Sequence, residues 1–262
     1  MPYVQVKLHK MKAVLLILVI AAFFRFANFQ DRVTLHQDQA RDAIIAQYSI
    51  DHKTLPLLGP PSSAGLFSFG PIYYWIIILF NIVVVTPWIG FTLLSFFSVY
   101  IFYLLGKNLY GTRFGLLLAL ISAVCASEVI NAPDMLNPVM ISFFTTLALF
   151  SSVMLLKKQK LLYGLLLGLS VGISLNLHLQ AIGLLSLLII TPVILRSVKV
   201  LGYGVAGFII SFLPLIYFDI INKGIWVKSV LNYITIGQNK FNVFYTWDKE
   251  IFSFWPKLWG EV

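Results

Sequence analysis

The sequence predicts an all-α fold: a polytopic bundle of transmembrane helices whose extracytoplasmic first loop carries juxtamembrane helices. Three observations predict it. Of 262 residues, 59% are hydrophobic and only 11% are charged, against about 25% charged in an ordinary soluble domain. No Asp, Glu, Lys or Arg occurs between Lys53 and Lys107 or between Lys160 and Arg196, and each run exceeds the about 18 uncharged apolar residues that mark a membrane helix. The basic residues behind the net charge of +9 fall in short clusters between apolar runs. That is the pattern of cytoplasmic turns, and it gives no reason to expect a nucleic-acid partner. A single soluble core is excluded, and the lone Cys125 excludes an intrachain disulfide.

The elements follow in order along one membrane domain, 1–262. The basic start up to Lys12 and the apolar stretch to Phe29 have the charge order of a signal peptide, but no small-residue cleavage site follows, so Ala13–Phe29 is predicted as a retained first span. Residues 30–87 form an outer loop, whose polar part Gln30–Gly70 holds Asp31, Asp38, Asp42 and Asp51. Next comes Ile72–Val85, bounded by Pro71 and Pro87. At about 14 residues it suits a re-entrant or interfacial segment better than a span, with Tyr73, Tyr74 and Trp75 at headgroup depth. Six further spans are expected within 88–221: Trp88–Leu105, Phe114–Ile130, Val139–Leu156, Leu161–Leu175, Ala181–Leu195 and Val200–Ile221. Residues 222–262, with Trp226, Trp247, Trp255 and Trp259, read as an interfacial or outer segment.

Charge orients these elements. With a cytoplasmic N-terminus and a non-crossing Ile72–Val85, the residues Lys7, Lys10, Lys12, Lys107, Arg113, Lys157, Lys158, Lys160, Arg196 and Lys199 all fall inside, and the outer turns Asn131–Pro138 and Asn176–Gln180 carry no basic residue. If the segment crossed, Lys107 and every basic residue after it in that set would move outside. The positive-inside bias therefore predicts a multi-pass cell-membrane protein with its active site outside the cytoplasm.

Several groups in the outer parts can carry chemistry. From Asp38 to Ser49 the pattern suits an amphipathic helix with Ala43, Ile44 and Tyr48 apolar and Asp38, Arg41 and Asp42 within one turn. A carboxylate there could act as a general base or ligate a divalent cation, while Arg41 engages an anion; the plainer reading is an acidic helix start beside a surface ion pair. Gly59-Pro60-Pro61-Ser62-Ser63-Ala64-Gly65 and Gly70-Pro71 could expose backbone N–H groups to a phosphate or form a turn-rich connector. Asp134 and Asn137 sit in the second outer turn, as site residues or as caps of the span that follows. Glu128 near the outer end of its span is a functional candidate or a snorkelling side chain. His178 and Gln180, at a break between apolar runs, are cavity-lining candidates, although a lone His at such a break also serves structure alone.

Taken together these blocks resemble the C-type membrane glycosyltransferases, which include the family 39 protein mannosyltransferases and the aminoarabinose transferases. The resemblance rests on the order of a first outward helix, Asp38-Gln39-Ala40-Arg41-Asp42-Ala43, the Gly59–Gly65 turn and Gly70-Pro71-Ile72-Tyr73-Tyr74. It implies an enzyme that moves a sugar from a polyprenyl-phosphate carrier to an acceptor hydroxyl at the outer leaflet, with partners in the bilayer, the lipid-linked donor and an acceptor protein, lipid or glycan. It carries the family's essential loop carboxylate onto Asp38, where the family commonly has Asp-Glu and this chain has Asp38-Gln39, with Asp42 as a substitute for the missing acid. The family's second acid before a proline falls at Asn137, with Asp134 one turn earlier, and the amide weakens the case for a bound divalent cation. Arg41, Lys53, Ser62, Ser63, Gly70, Tyr73, Tyr74, Glu128, His178 and Gln180 are then the substrate-binding candidates. Pro214–Asp219 is similar to a proline-containing span of the family that ends in an aromatic and an acid. Members of the family have more spans than these seven, so the chain is expected to be an N-terminal piece or a reduced form. A transporter or lipid flippase and a membrane assembly subunit are the alternatives.

Overall fold

The structure, a computed structural model, describes residues 2–62, 67–84 and 86–237, and their regular secondary structure is helical throughout. In chain order the helices are α1 (Pro2–Phe26), α2 (Phe29–Arg32), α3 (Gln37–Asp51), α4 (Ile72–Val83), α5 (Pro87–Tyr110), α6 (Thr112–Val124) and α7 (Ala126–Ile130). They continue with α8 (Ile141–Lys158), entered through a 3-10 turn at Asn137–Met140, and α9 (Leu161–Leu177). A second 3-10 turn at Leu179–Leu184 leads into α10 (Leu185–Leu195), followed by α11 (Val198–Ile221) and α12 (Ile225–Asn232). Boundaries fall at backbone punctuation: Pro87 opens α5, where its missing N–H costs nothing, and Gly111 at φ 91° closes it in a conformation that favours glycine.

Three stretches among the described residues are long and apolar enough to cross a membrane: Pro87–Tyr110, Asn137–Lys158 and Val198–Ile221. The other apolar helices are shorter. At 12 residues α4 extends roughly 18 Å, well under a hydrocarbon core of about 30 Å, so its length agrees with the expected short segment. Two elements differ from expectation. The first helix ends at Phe26, with a separate turn α2 after it, and the expected span Phe114–Ile130 is broken at Cys125, whose φ −60° and ψ 116° are extended.

The described residues fall into two compact units. The larger comprises Met1–Pro60 and Ser68–Phe218, and the smaller Pro61–Phe67 and the chain from Asp219 onward. In the smaller unit Asp219 Oδ1 accepts hydrogen bonds from the N–H groups of Trp226 (2.8 Å) and Val227 (3.2 Å), capping the start of α12. Trp247, Trp255 and Trp259 of the expected tail lie outside the described residues.

The larger unit has three apolar clusters. Tyr73, Tyr74, Ile77 and Ile78 of α4 pack with Ala46 of α3, Phe91, Met135, Phe144 and Leu177. Ile17 and Ala21 of α1 pack with Val99, Tyr103, Ala119 and Ala123 of α5 and α6. Ala148 and Leu155 of α8 join Leu167 and Val171 of α9, Leu188 and Val200. Small residues let α9 and α11 approach closely, the device of membrane helix pairs: a Cβ on Gly168 would lie 1.9 Å from Gly204 O, and one on Gly207 2.2 Å from Leu165 O.

The break at Cys125 strands the last carbonyls of α6 in the interior, where a lone acceptor costs about 1–3 kcal/mol. Arg25, fully buried on α1, supplies the donors: Nη1 to Ala123 O and Nη2 to Ser122 O, both at 3.0 Å, and Nε to Ser95 Oγ at 2.9 Å. A guanidinium can serve three acceptors in one plane and an ammonium cannot. Arg25→Met is expected to destabilise the protein by roughly 3–5 kcal/mol, and Arg25→Lys to recover little of it. Thermal unfolding in detergent checks this, and an unchanged Tm for Arg25→Met would refute the capping role.

Candidate functional site

The predicted loop helix forms as α3, and its inward side mixes polar residues with Ala43, Ile45, Ala46 and Ile50, which pack on the core cluster. Gln39, Asp42, Ala46 and Ser49 point inward, whereas Ile44 and Tyr48, expected on the packed face, are 69% and 60% exposed. Asp42 is held on that inward stripe by two partners, whereas both amide atoms of the fully buried Gln39 have none among the described residues. Tyr74 Oη donates to Asp42 Oδ1 at 2.9 Å and Arg41 Nε donates to the same oxygen at 2.8 Å. Arg41 Nη1 then reaches Asp38 Oδ1 at 2.7 Å. The two carboxylates therefore have different environments: the side chain of Asp42 is 2% exposed and that of Asp38 65%.

Electrostatics keeps Arg41 and Tyr74 protonated. Burial alone would lower Arg41, but the hydrogen bond and charge of Asp42, with help from Tyr74 and Asp38, hold it above its ordinary value. Burial and then the charge of Asp42 push the Tyr74 phenol up, so it remains a donor. A charge-assisted bond of this kind contributes about 1.5–3 kcal/mol. Asp42 is thus the anchor of α3, and Asp38 is the carboxylate that solvent or a substrate can reach.

The three consecutive aromatic residues of α4 each tie down a different segment of the chain. Tyr73 Oη donates to Met135 O at 2.8 Å, Tyr74 to Asp42, and Trp75 Nε1 to Pro56 O at 2.8 Å. Tyr73 and Tyr74 are 0% and 3% exposed, so both are core residues.

The glycine-rich turn has a packing role. The N–H groups of Gly59 and Phe69 donate to Phe69 O and Pro60 O, each at 2.9 Å, and the N–H of Gly70 donates to Asn176 O at 2.9 Å. A Cβ on Gly70 would lie 1.6 Å from Asn176 Oδ1, and one on Gly59 2.1 Å from Gly70 O. These positions need glycine for close approach, and their N–H groups are committed to carbonyls. In the smaller unit the N–H of Ser62 donates to Phe67 O. Ser63 lies outside the described residues. Lys53 is exposed at φ 54°, directly after the close of α3.

The turn at 131–138 meets the end of α9. Asn137 Nδ2 donates to Leu177 O at 2.5 Å, and the His178 ring stacks on Phe69 with centroids 4.9 Å apart. Burial lowers His178, which suits a neutral ring whose Nδ1 accepts from the Gln180 N–H at 3.2 Å. Gln180 itself is exposed. Asp134, Arg32 and His36 are close enough to interact: burial pushes the Asp134 carboxyl up, and His36 and Arg32 oppose the rise. Glu128 stands on α7, after the break, where Oε1 accepts from Ser142 Oγ at 2.6 Å and the backbone carbonyl accepts from Ser95 Oγ at 3.2 Å.

The structure thus joins Asp38, Arg41, Asp42 and Tyr74 directly. Through the core cluster of Tyr73, Met135 and Leu177 it also brings the flanks of Asp134, Asn137 and His178 to that network. Sequence reasoning missed Arg25, Arg32, Ser95 and Ser142. Arg32 donates to the carbonyls of Phe24, Arg25 and Val129. A signal existed for Arg25, as a charge inside an apolar run; none exists for the serines. Comparison with protein-family models, with curated proteins and with solved structures finds no match to this chain.

A carboxyl whose value is raised on folding favours the folded state while protonated, and that contribution is lost as pH rises from the ordinary carboxylate value through the raised one. Asp134→Asn mimics the protonated form. It is expected to raise Tm at pH ~7 and to leave it nearly unchanged at pH ~4; the same shift at both pH values would show that ionisation of Asp134 is not the cause.

Proposed function

We propose that the chain is a polytopic membrane glycosyltransferase of the C type, with a cytoplasmic N-terminus, that moves a sugar from a polyprenyl-phosphate carrier to an acceptor hydroxyl on the extracytoplasmic side. The observation that carries this reading is the exposed Asp38 carboxylate, held at 2.7 Å by Arg41, which buried Asp42 and Tyr74 fix in turn. A reachable carboxylate on a rigid support is what a positioned general base requires.

In this mechanism Asp38 takes the proton of the acceptor hydroxyl. The acceptor oxygen forms its bond to the anomeric carbon as the bond from that carbon to the phosphate oxygen breaks, and the phosphate leaves with the electron pair. The departing phosphate needs cationic donors. Arg41 Nη2 makes no hydrogen bond among the described residues, and Lys53 is exposed two residues after the end of α3. The N–H groups of Gly59 and Gly70 are committed to carbonyls. Among the described residues no group of three or more His, Cys, Asp or Glu side chains could hold a metal ion.

Asp38→Ala and Asp38→Asn are each expected to lower transfer from a polyprenyl-phosphate sugar by about 10²–10⁴-fold while leaving the thermal stability near wild type, because Asp38 is exposed. Retention of transfer in both variants would overturn the catalytic assignment. The orientation is tested separately with Cys125 replaced and single cysteines placed at Asp134 and Lys158. An impermeant thiol reagent on intact cells is expected to label the first and spare the second, and the opposite pattern would invert the topology.

A further inference from the structure

Three short turns meet at one end of the larger unit. Lys157 Nζ at the end of α8 donates to Asn108 O near the end of α5, and a Cβ on Gly164, at the start of α9, would touch Tyr203 and Val200 of α11. Leu155, Leu161, Leu195 and Val200, which border these turns, belong to one apolar cluster. The α5–α6 turn carries Lys107 and Arg113, the α8–α9 turn Lys157, Lys158 and Lys160, and the α10–α11 turn Arg196 and Lys199, all of them exposed. The acidic residues of the larger unit lie elsewhere: Asp31, Asp38, Asp42 and Asp51 precede α4, and Glu128 and Asp134 precede α8. A cavity of about 200 Å³ beside Glu128 and Ser142 also lies away from the basic turns, at the start of α8.

The fold gives only part of this charge a partner. Lys107, Lys157 and Lys158 stand in the last turns of α5 and α8, where the helix dipole favours a cation. Lys107 also lies 5.6 Å from the centroid of the Tyr103 ring. Arg113, Lys160 and Lys199 stand at the other kind of helix end: in the first turn of α6, at the N-cap of α9 and in the first turn of α11. There the dipole opposes a cation, and none of those first turns holds an acid. None of the three cations has an ion pair or a side-chain hydrogen bond among the described residues. The setting narrows what can neutralise them. One residue separates α5 from α6, and two separate α8 from α9 and α10 from α11. Because α5, α8 and α11 are apolar enough to cross a membrane, turns this tight hold the cations where hydrocarbon gives way to headgroups. Tyr110 and Tyr203, both exposed, flank the turns at the depth that tyrosines favour. The anions at that depth are lipid phosphates.

We propose that this end of the bundle is a docking surface for anionic phospholipid headgroups, which neutralise the three turns together. The lipid is distinct from the proposed sugar donor. Between Lys160 and Asn176, whose carbonyl accepts from Gly70, runs α9, and its 17 residues extend roughly 25 Å. The surface therefore goes beyond the transfer reading and does not depend on it.

The test uses the full chain, purified in an uncharged detergent and stripped of lipid. It is titrated with phosphatidylglycerol or with phosphatidylcholine of the same acyl chains, and bound lipid is counted by native mass spectrometry. Wild type is expected to bind phosphatidylglycerol at least tenfold more tightly than phosphatidylcholine. Arg113→Gln combined with Lys160→Gln is expected to weaken phosphatidylglycerol binding about tenfold with no loss of thermal stability, since both cations oppose a helix dipole. Lys160→Gln combined with Lys199→Gln is a second variant with the same expected loss. Lys223→Gln combined with Lys228→Gln removes equal charge from the smaller unit and is expected to change nothing. Equal affinity of wild type for the two lipids, unchanged binding in both patch variants, or an equal loss in the Lys223 and Lys228 variant overturns the proposal. Displacement of the lipid by an equal concentration of glycerol 3-phosphate would show that a free anion is the partner and overturn it as well. Asp38→Ala is expected to keep the lipid preference, so loss of transfer in that variant bears on the catalytic reading alone.

Discussion

A buried guanidinium holds the larger unit together. Where α6 gives way to an extended residue at Cys125, its final carbonyls face the interior, and a protein read as lying in a bilayer has little water there to solvate them. Arg25 reaches from α1 to two of these carbonyls and to Ser95 on α5, so one side chain fixes three helices. Arg32 extends the same logic one step along the chain by bonding the carbonyls at the end of α1 and that of Val129. The break also has a consequence for chemistry. It turns α7 so that Glu128 meets Ser142 of α8, and the cavity beside Glu128 follows from that turn.

The segments around α3 and α4 depend on a second device, the run Tyr73-Tyr74-Trp75. Successive helical residues point about 100° apart, so three adjacent aromatic donors reach three different segments: the Met135 turn, α3 and the Pro56 loop. Asp42 turns inward to meet Tyr74, and that contact decides how α3 rolls. Once Asp42 faces in, the residue four positions earlier lies near the same face but at its edge, and Asp38 stays exposed with Arg41 between the two acids. Ile44 and Tyr48 are carried to the outside by the same rotation.

Much of the architecture was legible in the sequence, because apolar runs and their Gly, Pro and charged borders report helix extent directly. The run Leu161–Leu175 corresponds to α9 and Val200–Ile221 to α11, within a few residues at each end. The site was legible only in part. Asp38, Arg41 and Asp42 share a helical turn, and spacing alone predicts that they are neighbours. Their division of labour was not readable, since burial of Asp42 is decided by Tyr74, 32 residues away. The glycine-rich turn was readable as a place where backbone comes close, but whether its N–H groups face a ligand or a carbonyl depends on Asn176, 106 positions beyond Gly70.

By itself the sequence determined the helical class of the described residues, spans apolar enough for a membrane, a polar first loop with clustered acids, and the short α4. These follow from composition and local periodicity, which act within one element. Only the tertiary structure decided which carboxylate is buried, which arginine caps the broken helix, that Tyr73 and Tyr74 belong to the core, and that Glu128 lines a cavity. Each of these depends on where a hydrogen-bonding group from a distant part of the chain arrives. Tyr74 and Arg41 pair the buried Asp42 carboxylate, and that long-range contact with Tyr74 decides which acid of α3 is buried.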